Sequence, residues 1–196
     1  MKGSAFMSFF PVIEPMPALP WAPPQNRIPV AVAWHFVLLQ TVDTAVAVTN
    51  FSASPEGVQF TLVTLIRPLG GGEDGDGDGD GDGFLGDGFR SGLRFGIRLP
   101  DGSQVDRNSR ARDQQKVPVP PGFHLSGRGG SAGATMAEED LWLWPLPGPG
   151  TISFGCAWPS RGASEAVIET STDELLHAAS LADELWPLPP LVPPRG

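Results

Sequence analysis

A repeat of aspartate and glycine between residues 73 and 87 carries the densest set of metal-ligating side chains in this sequence. Calcium binds several carboxylates on a chain that can curl around it, and one register of the repeat matches the spacing of a calcium-binding loop. The match is incomplete, because no helical sequence flanks the repeat, its eighth position is glycine and its twelfth is aspartate instead of glutamate. A Gly-Asp repeat also meets this spacing by chance, so a calcium site, weak non-selective cation binding and an inert repeat all remain open. The candidate ligands are Asp76, Asp78, Asp80, Asp82 and Asp87.

A second pattern, Gly-x-Ser-x-Gly around Ser131, matches the nucleophile elbow of serine hydrolases. That motif works only on a sharp turn from strand to helix above a parallel sheet. Here it lies in a stretch rich in glycine and serine that is typical of a loop, and the chain has no alternating strand and helix pattern. Only His177 and acids such as Asp173 follow it. We therefore expect no enzymatic activity, with a serine hydrolase at Ser131 as an alternative.

The remaining reactive side chains are typical of structural roles. His35, His124 and His177 are far apart and lack metal-ligand spacing, and His35 is expected to be a hydrogen-bonded residue within a strand. Cys156 alternates with aromatic residues on an apolar face, where a free cysteine usually behaves as a small hydrophobe. No catalytic or cofactor-binding residue is predicted.

Basic and aromatic residues form two larger groups. The arginines can either meet phosphate or screen the acidic repeat, and the absence of interleaved aromatics favours a solvated face over a nucleic-acid surface. The tryptophans are predicted to lie in the core and to dock the helix, with a ligand platform as the alternative. The arginines are Arg94, Arg98, Arg107, Arg110, Arg112 and Arg128, and the tryptophans are Trp142, Trp144, Trp158 and Trp186.

Charge and cysteine content bear on the compartment and the partners. The net charge is −9, but seven of the 22 acidic residues lie between residues 73 and 87, and nothing suggests the basic face that a nucleic-acid binder needs. A single cysteine excludes an internal disulfide framework and fits a reducing compartment. The apolar start of the chain is interrupted by Pro11, so it does not match a signal peptide, and no apolar stretch is long enough to span a membrane. These features predict a cytoplasmic protein with no membrane partner.

Residues 29–67 are the stretch around which the rest of the chain is organised. Residues 58–67 alternate strictly, with Val58, Phe60 and Leu62 on one face, and this alternation predicts a strand. Residues 45–51 are rich in valine and threonine, which favours another strand. The two are joined by residues 54–57, where Pro55 suits a type I turn and Gly57 is expected to take a positive φ. A long hairpin is therefore predicted.

Further strands and one helix follow. Residues 93–99 and 103–105 predict a second hairpin around the turn at residues 100–102, and residues 141–144, 151–158 and 165–170 predict three more strands, with a third hairpin around the turn at residues 145–150. Residues 124–134 read as a Gly- and Ser-rich loop. Near the end, Ser171 and Glu174 have the spacing of a capping box, and an apolar stripe at intervals of three and four predicts a helix over residues 172–186.

Together these elements predict an all-β fold, an antiparallel, Ig-like β-sandwich of about seven or eight strands with one C-terminal α-helix. A partly open barrel is the alternative. The expected organisation is a proline-rich, disordered arm over residues 1–28, a domain over residues 29–186 and a proline-rich tail over residues 187–196. A disordered acidic insertion at residues 68–91 interrupts the domain. The arm carries Trp21, and both a free tail and an arm docked through this residue are open.

Three segments resemble a set of uncharacterised all-β proteins from bacteria with GC-rich genomes. They are Leu-Trp-Leu-Trp-Pro-Leu-Pro at residues 141–147, Phe-Gly-Cys-Ala-Trp-Pro-Ser-Arg-Gly at residues 154–162 and Glu-Leu-Trp-Pro at residues 184–187. The resemblance implies a bacterial all-β domain with no assigned activity, and it transfers no functional residue.

The function that these patterns predict is non-enzymatic. We expect an interaction or accessory domain with a protein partner whose identity the sequence leaves open, and no cofactor. Binding of a divalent cation, calcium above all, through the Gly-Asp repeat is the first alternative.

Overall fold

A computed structural model describes residues 21–67, 92–107 and 122–187 of the chain. The fold is an antiparallel β-sandwich with one helix near the C-terminus, as predicted. In chain order, the strands are β1 (Arg27–Ile28), β2 (Val30–Ala31), β3 (Phe36–Gln40), β4 (Thr44–Ser54), β5 (Gly57–Ile66), β6 (Arg94–Arg98), β7 (Gln104–Asp106), β8 (His124–Ala132), β9 (Met136–Trp144), β10 (Thr151–Trp158), β11 (Ala163–Ser171) and β12 (Asp183–Glu184). The helix α1 spans Asp173–Ser180, and Pro159–Arg161 forms a 3-10 turn between β10 and β11.

Two main sheets and a short ribbon make up the fold. The large sheet has the order β2-β4-β5-β9-β8, and β3 also belongs to it, since it pairs with a different part of β4 from β2. The small sheet has the order β11-β10-β6-β7. β1 and β12 form a separate two-stranded ribbon. All of these pairings are antiparallel. No described helix combines the length and the apolar character needed to cross a membrane.

The core between the sheets is rich in aromatic rings. Phe51 of β4 lies 5.2 Å from the ring of Phe60 on β5, in a stacked arrangement, and 5.6 Å from the ring of Phe154 on β10 of the small sheet. Trp34 and Phe36 lie 5.5 and 6.0 Å from Phe51. These rings therefore join the large sheet to the small one.

The predicted hairpin of residues 45–67 is confirmed, but the reason for its glycine is different. Ser54 pairs with Gly57 across a two-residue turn. Gly57 does not have the positive φ that the turn pattern predicted. Instead, a Cβ atom at this position would lie 2.3 Å from the carbonyl oxygen of Leu143 and 2.8 Å from the ring of Trp142. Glycine is needed here because β9 passes too close for a side chain.

Two connections differ from the sequence-based expectation. Residues 124–132, predicted as a loop, form strand β8, because β9 supplies a full ladder of backbone partners. Residues 145–150 do not close a hairpin between β9 and β10. β9 belongs to the large sheet and β10 to the small one, so this link crosses the sandwich.

The C-terminal helix is shorter than the predicted range of residues 172–186. It ends at Ser180, and Asp183–Glu184 form β12 instead. Thr172, not Ser171, is the N-cap residue, and its hydroxyl makes no cap bond. Glu174 accepts a hydrogen bond from the indole of Trp34 at 2.9 Å and so does not complete a capping box.

The end of the N-terminal arm is docked, which moves the predicted domain boundary at residue 29. Arg27–Ile28 pair with Asp183–Glu184, so the prolines that precede them do not prevent a ladder. The carbonyl of Trp21 accepts a hydrogen bond from the indole of Trp142 at 3.0 Å, which supports the docked alternative for this residue. Residues 1–20, 68–91, 108–121 and 188–196 lie outside the described residues, and the expectations of disorder for them are not tested.

Candidate functional site

The outer face of the small sheet carries a furrow with a volume of about 300 Å³. Its floor is the backbone of Gly155 on β10 and Gly96 on β6, which are paired neighbours. Val167 of β11 and Asp106 of β7 continue this row on either side. Two adjacent glycines leave a channel perpendicular to the strands, because the flanking rows have side chains and this row has none at its centre.

The row on one side of the furrow is polar and internally connected. Ser153 pairs with Arg98 on one strand and with Glu169 on the other, and Arg98 pairs with Gln104. The Ser153 hydroxyl donates to Glu169 at 3.1 Å. With its amide oriented to satisfy both partners, Gln104 accepts from Nε and Nη2 of Arg98 at 2.9 and 3.2 Å. Arg98 is thus held by a neutral partner.

The turn beyond this row stabilises the orientation of β6 and β7. Gly102, at φ 83°, donates its N–H to the carbonyl of Leu99 at 2.9 Å. The hydroxyl and the backbone N–H of Ser103 donate to Asp101 at 2.6 and 2.9 Å and lower the pKa of that carboxyl. The strong turn signal in the sequence is confirmed by this geometry.

The row on the other side of the furrow presents separated opposite charges. Arg94 pairs with Ala157, and Glu165 lies on the same face of β11. Both charged side chains are exposed, and within the described residues neither takes part in an ion pair. The furrow is therefore lined by two cations and two anions, with small residues between them.

A second feature is the free edge of β8 on the large sheet. Among the described strands, β8 pairs with β9 alone, and residues 127–132 are exposed. This segment, called the open edge below, contains Gly127, Gly129 and Gly130. A Cβ atom at Gly130 would lie 2.2 Å from the carbonyl of Glu138, whereas Gly129 has nothing within 4 Å of that position. The open edge therefore lies close against β9 and presents mainly backbone.

Carboxylates of β9 lie next to the open edge. Asp140 pairs with Gly129, and Glu138 pairs with Ser131. Asp140 accepts a hydrogen bond from the hydroxyl of Thr61 at 2.9 Å. On the opposite face, Glu139 forms an ion pair with Arg107 at 2.5 Å. Glu138 and Asp140 therefore place two carboxylates beside the open edge, which itself contains one exposed cation, Arg128.

Ser131, the predicted nucleophile, lies in an extended strand and not on a strand-to-helix turn. Its hydroxyl is exposed and lies 3.4 Å from a carboxylate oxygen of Glu138. It has no histidine among the hydrogen-bond partners found for it. Ser131 therefore lacks the geometry of the nucleophile elbow that its sequence motif suggested.

The histidines and the cysteine lie in three different environments. His35 is exposed and precedes β3 instead of lying inside a strand, while His177 is exposed on α1. His124 is buried at the start of β8. Burial raises the pKa of the Cys156 thiol from 9.0 to about 11, which fits the predicted role of a small hydrophobe. Within the described part of the chain, no three metal-ligating side chains form a group. Asp76, Asp78, Asp80, Asp82 and Asp87 lie outside it.

The arginine and tryptophan groups are divided between separate surfaces. Arg94 and Arg98 line the furrow, Arg128 is the bulged residue of β8, and Arg110 and Arg112 lie outside the described residues. Trp158 is in the core, as predicted, and Trp142 is buried on the outer face of the large sheet next to the arm. Trp186 is 54% exposed and does not dock the helix.

Sequence reasoning did not find the furrow or the open edge. The alternation of Arg94, Gly96 and Arg98 on the basic face of β6 was visible, but Gly155 and Glu165 come from strands more than 50 positions away. The open edge was hidden by its composition, since glycine and serine normally indicate a loop. No protein-family model, curated protein or solved structure matches this chain. Function is therefore inferred from the residues themselves.

Proposed function

We propose that the protein is a non-enzymatic interaction domain that binds an extended segment of a partner protein along the open edge of β8. The observation that carries the proposal is a nine-residue edge strand whose exposed half is mainly backbone. An edge strand presents unpaired N–H and C=O groups, and an extended peptide can add to it as a further strand. The glycines let that peptide approach closely.

The charges beside the open edge favour a basic partner segment. A lysine or arginine of an added strand can lie across Gly129, which has free space on its side-chain face, and reach Asp140 on the next strand. The same holds for Glu138 opposite Ser131. Backbone hydrogen bonds between β8 and the added strand would then supply the affinity, and the carboxylates would select lysine or arginine at alternate positions of the partner segment.

A cytoplasmic partner belongs to the same proposal, because the single cysteine of the chain requires no oxidising compartment.

Amide hydrogen exchange of the full chain tests this proposal. The probe is a short peptide of alternating threonine and lysine, and the matched control has glutamate in place of lysine. We expect the basic peptide to slow exchange at residues 127–132 and the acidic peptide to leave it unchanged. Exchange that is unaffected at millimolar basic peptide, or slowed equally by both peptides, would overturn the proposal.

Two variants sharpen the same test. The double change Glu138→Gln with Asp140→Asn removes the charges and keeps the shapes, and it should weaken binding about tenfold, as expected for two ion pairs that remain in contact with water. Gly129→Val fills the space that the incoming side chain needs, while the free protein has room for it. Asp183→Asn, at an exposed residue of β12, is the charge control and should not change the affinity.

A further inference from the structure

The furrow on the small sheet is independent of the open edge and has a chemistry of its own. Arg94 and Arg98 stand on the same face of β6, four residues apart, so their Cα atoms are about 13 Å from each other. Both are exposed at the rim of a floor made by Gly96 and Gly155. This arrangement offers two guanidinium groups to one carboxylate that lies on the glycine floor.

The carboxylate of Glu165 lies across the sheet from the strand that carries the two arginines. Glu165 lies on β11, two strands from β6, which is about 10 Å across the sheet. Between them is β10, whose outward-facing residues here are Gly155 and Ala157. The small side chains leave the space between the arginines and Glu165 open.

We propose that this furrow binds a short peptide or an amino-acid derivative as a zwitterion, with its carboxylate toward Arg94 and Arg98 and its ammonium group toward Glu165. The lining places Arg94 and Arg98 on β6 and Glu165 two strands away on β11, so it matches a dipolar ligand with opposite charges at its two ends. An extended di- or tripeptide spans about 7–11 Å, a range that includes the separation of about 10 Å between β6 and β11. The volume of about 300 Å³ is at the lower end of small-ligand sites.

Triglycine and its two blocked analogues separate this proposal from simpler ones. Triglycine carries both charges, N-acetyl-triglycine carries only the carboxylate, and triglycine amide carries only the ammonium group. Each is titrated into the isotope-labelled full chain and followed by the amide shifts of Gly96 and Gly155. We expect saturable shifts with triglycine and an affinity roughly three- to fivefold lower for each analogue, the size expected for one water-accessible ion pair.

Side-chain variants assign the two ends of the ligand. Glu165→Gln should lower the affinity for triglycine and leave that for N-acetyl-triglycine unchanged, because the acetylated end has no charge to pair. Arg94→Gln combined with Arg98→Gln should lower both of these affinities and spare triglycine amide. Arg94, Arg98 and Glu165 are exposed, so the fold is not expected to depend on them.

Filling the floor provides a second, charge-independent test. A Cβ atom at Gly155 would have only ordinary contacts, 3.8 Å from the carbonyl of Gly96 and 4.0 Å from Val167. Gly155→Val should therefore fold and abolish the shifts, whereas Gly129→Val on the large sheet should not affect them. The proposal is wrong if triglycine produces no shifts at Gly96 and Gly155, or if N-acetyl-triglycine binds as tightly as triglycine, which would leave an anion site only.

Discussion

Replacing Phe51 by alanine tests whether the aromatic core joins the two sheets. Phe51 is 2% exposed and touches the rings of Trp34, Phe36, Phe60 and Phe154 at centroid distances between 5.2 and 6.0 Å. Its partners are anchored on three different strands and the segment before β3, so they cannot close in on the vacated space. The loss in free energy of unfolding for a buried Phe→Ala change is about 3–5 kcal/mol, and poor collapse places this site near the upper end.

The ring contacts add to the same estimate. Each favourable aromatic pair contributes about 0.5–1.5 kcal/mol beyond area burial, although these contributions are not additive. We therefore expect Phe51→Ala to lower the free energy of unfolding by about 4–5 kcal/mol. For a domain of this size, about 2–4 °C are lost per kcal/mol, so Tm should fall by roughly 8–20 °C.

Urea unfolding followed by tryptophan fluorescence measures this loss, with Tm from circular dichroism as a second readout. Phe51→Leu keeps most of the volume and should cost less than Phe51→Ala. Val42→Ala, at a side chain that is 81% exposed, should stay within about 0.5 kcal/mol of the parent. A loss below about 1.5 kcal/mol for Phe51→Ala would show that the sheets are held together elsewhere.

Three smaller predictions concern a close approach, a buried hydroxyl and the thiol. Gly57→Ala should lower the free energy of unfolding by about 1–3 kcal/mol, because its Cβ meets the backbone of β9. Gly102→Ala should cost less, because only a positive φ is strained there. Equal urea midpoints for the two variants would contradict this. Thr172→Val leaves the Gly150 N–H, which donates to the Thr172 hydroxyl at 3.0 Å, without its partner and should cost about 1–3 kcal/mol in the same assay. Burial raises the pKa of Cys156 from 9.0 to about 11, so this thiol should react with a thiol reagent at pH 8 only on unfolding. The free energy of unfolding should fall as pH rises above 9.0, because the thiol of the unfolded chain ionises first. Equal labelling rates with and without urea would refute this.

The core-facing strands were predictable because their signal is local. Residues 58–66, 93–99 and 151–158 alternate in hydrophobicity with a period of two, and their inward positions include Phe60, Ile97 and Phe154, all buried. The turn at residues 100–102 was also readable, since the positive φ of Gly102 is a property of its own residue. The turn at residues 54–57 was placed correctly, although its glycine is needed for the close approach of β9 and not for φ. Each of these features depends on a few consecutive positions.

Features that depend on a partner strand were not readable in this way. β4 contains a bulge between Thr49 and Ser52, where Asn50 has φ 54°, and this bulge moves the buried face from Val48 to Phe51. The shift in phase reflects pairing with β5 and breaks the simple alternation of the sequence. α1 ends early for a similar reason, because Asp183 and Glu184, which follow it in the chain, pair with β1 instead of continuing the helix.

The sequence by itself determined the class of the fold, the faces of its core strands and the structural character of Cys156. These follow from side-chain periodicity and composition, which act at short range. Only the tertiary structure decided that the glycine-rich residues 127–132 form an edge strand beside acidic residues, and that Gly96, Gly155 and Glu165 meet in one furrow. Strand order and register bring residues together across the whole chain, and they result from the packing of every strand at once.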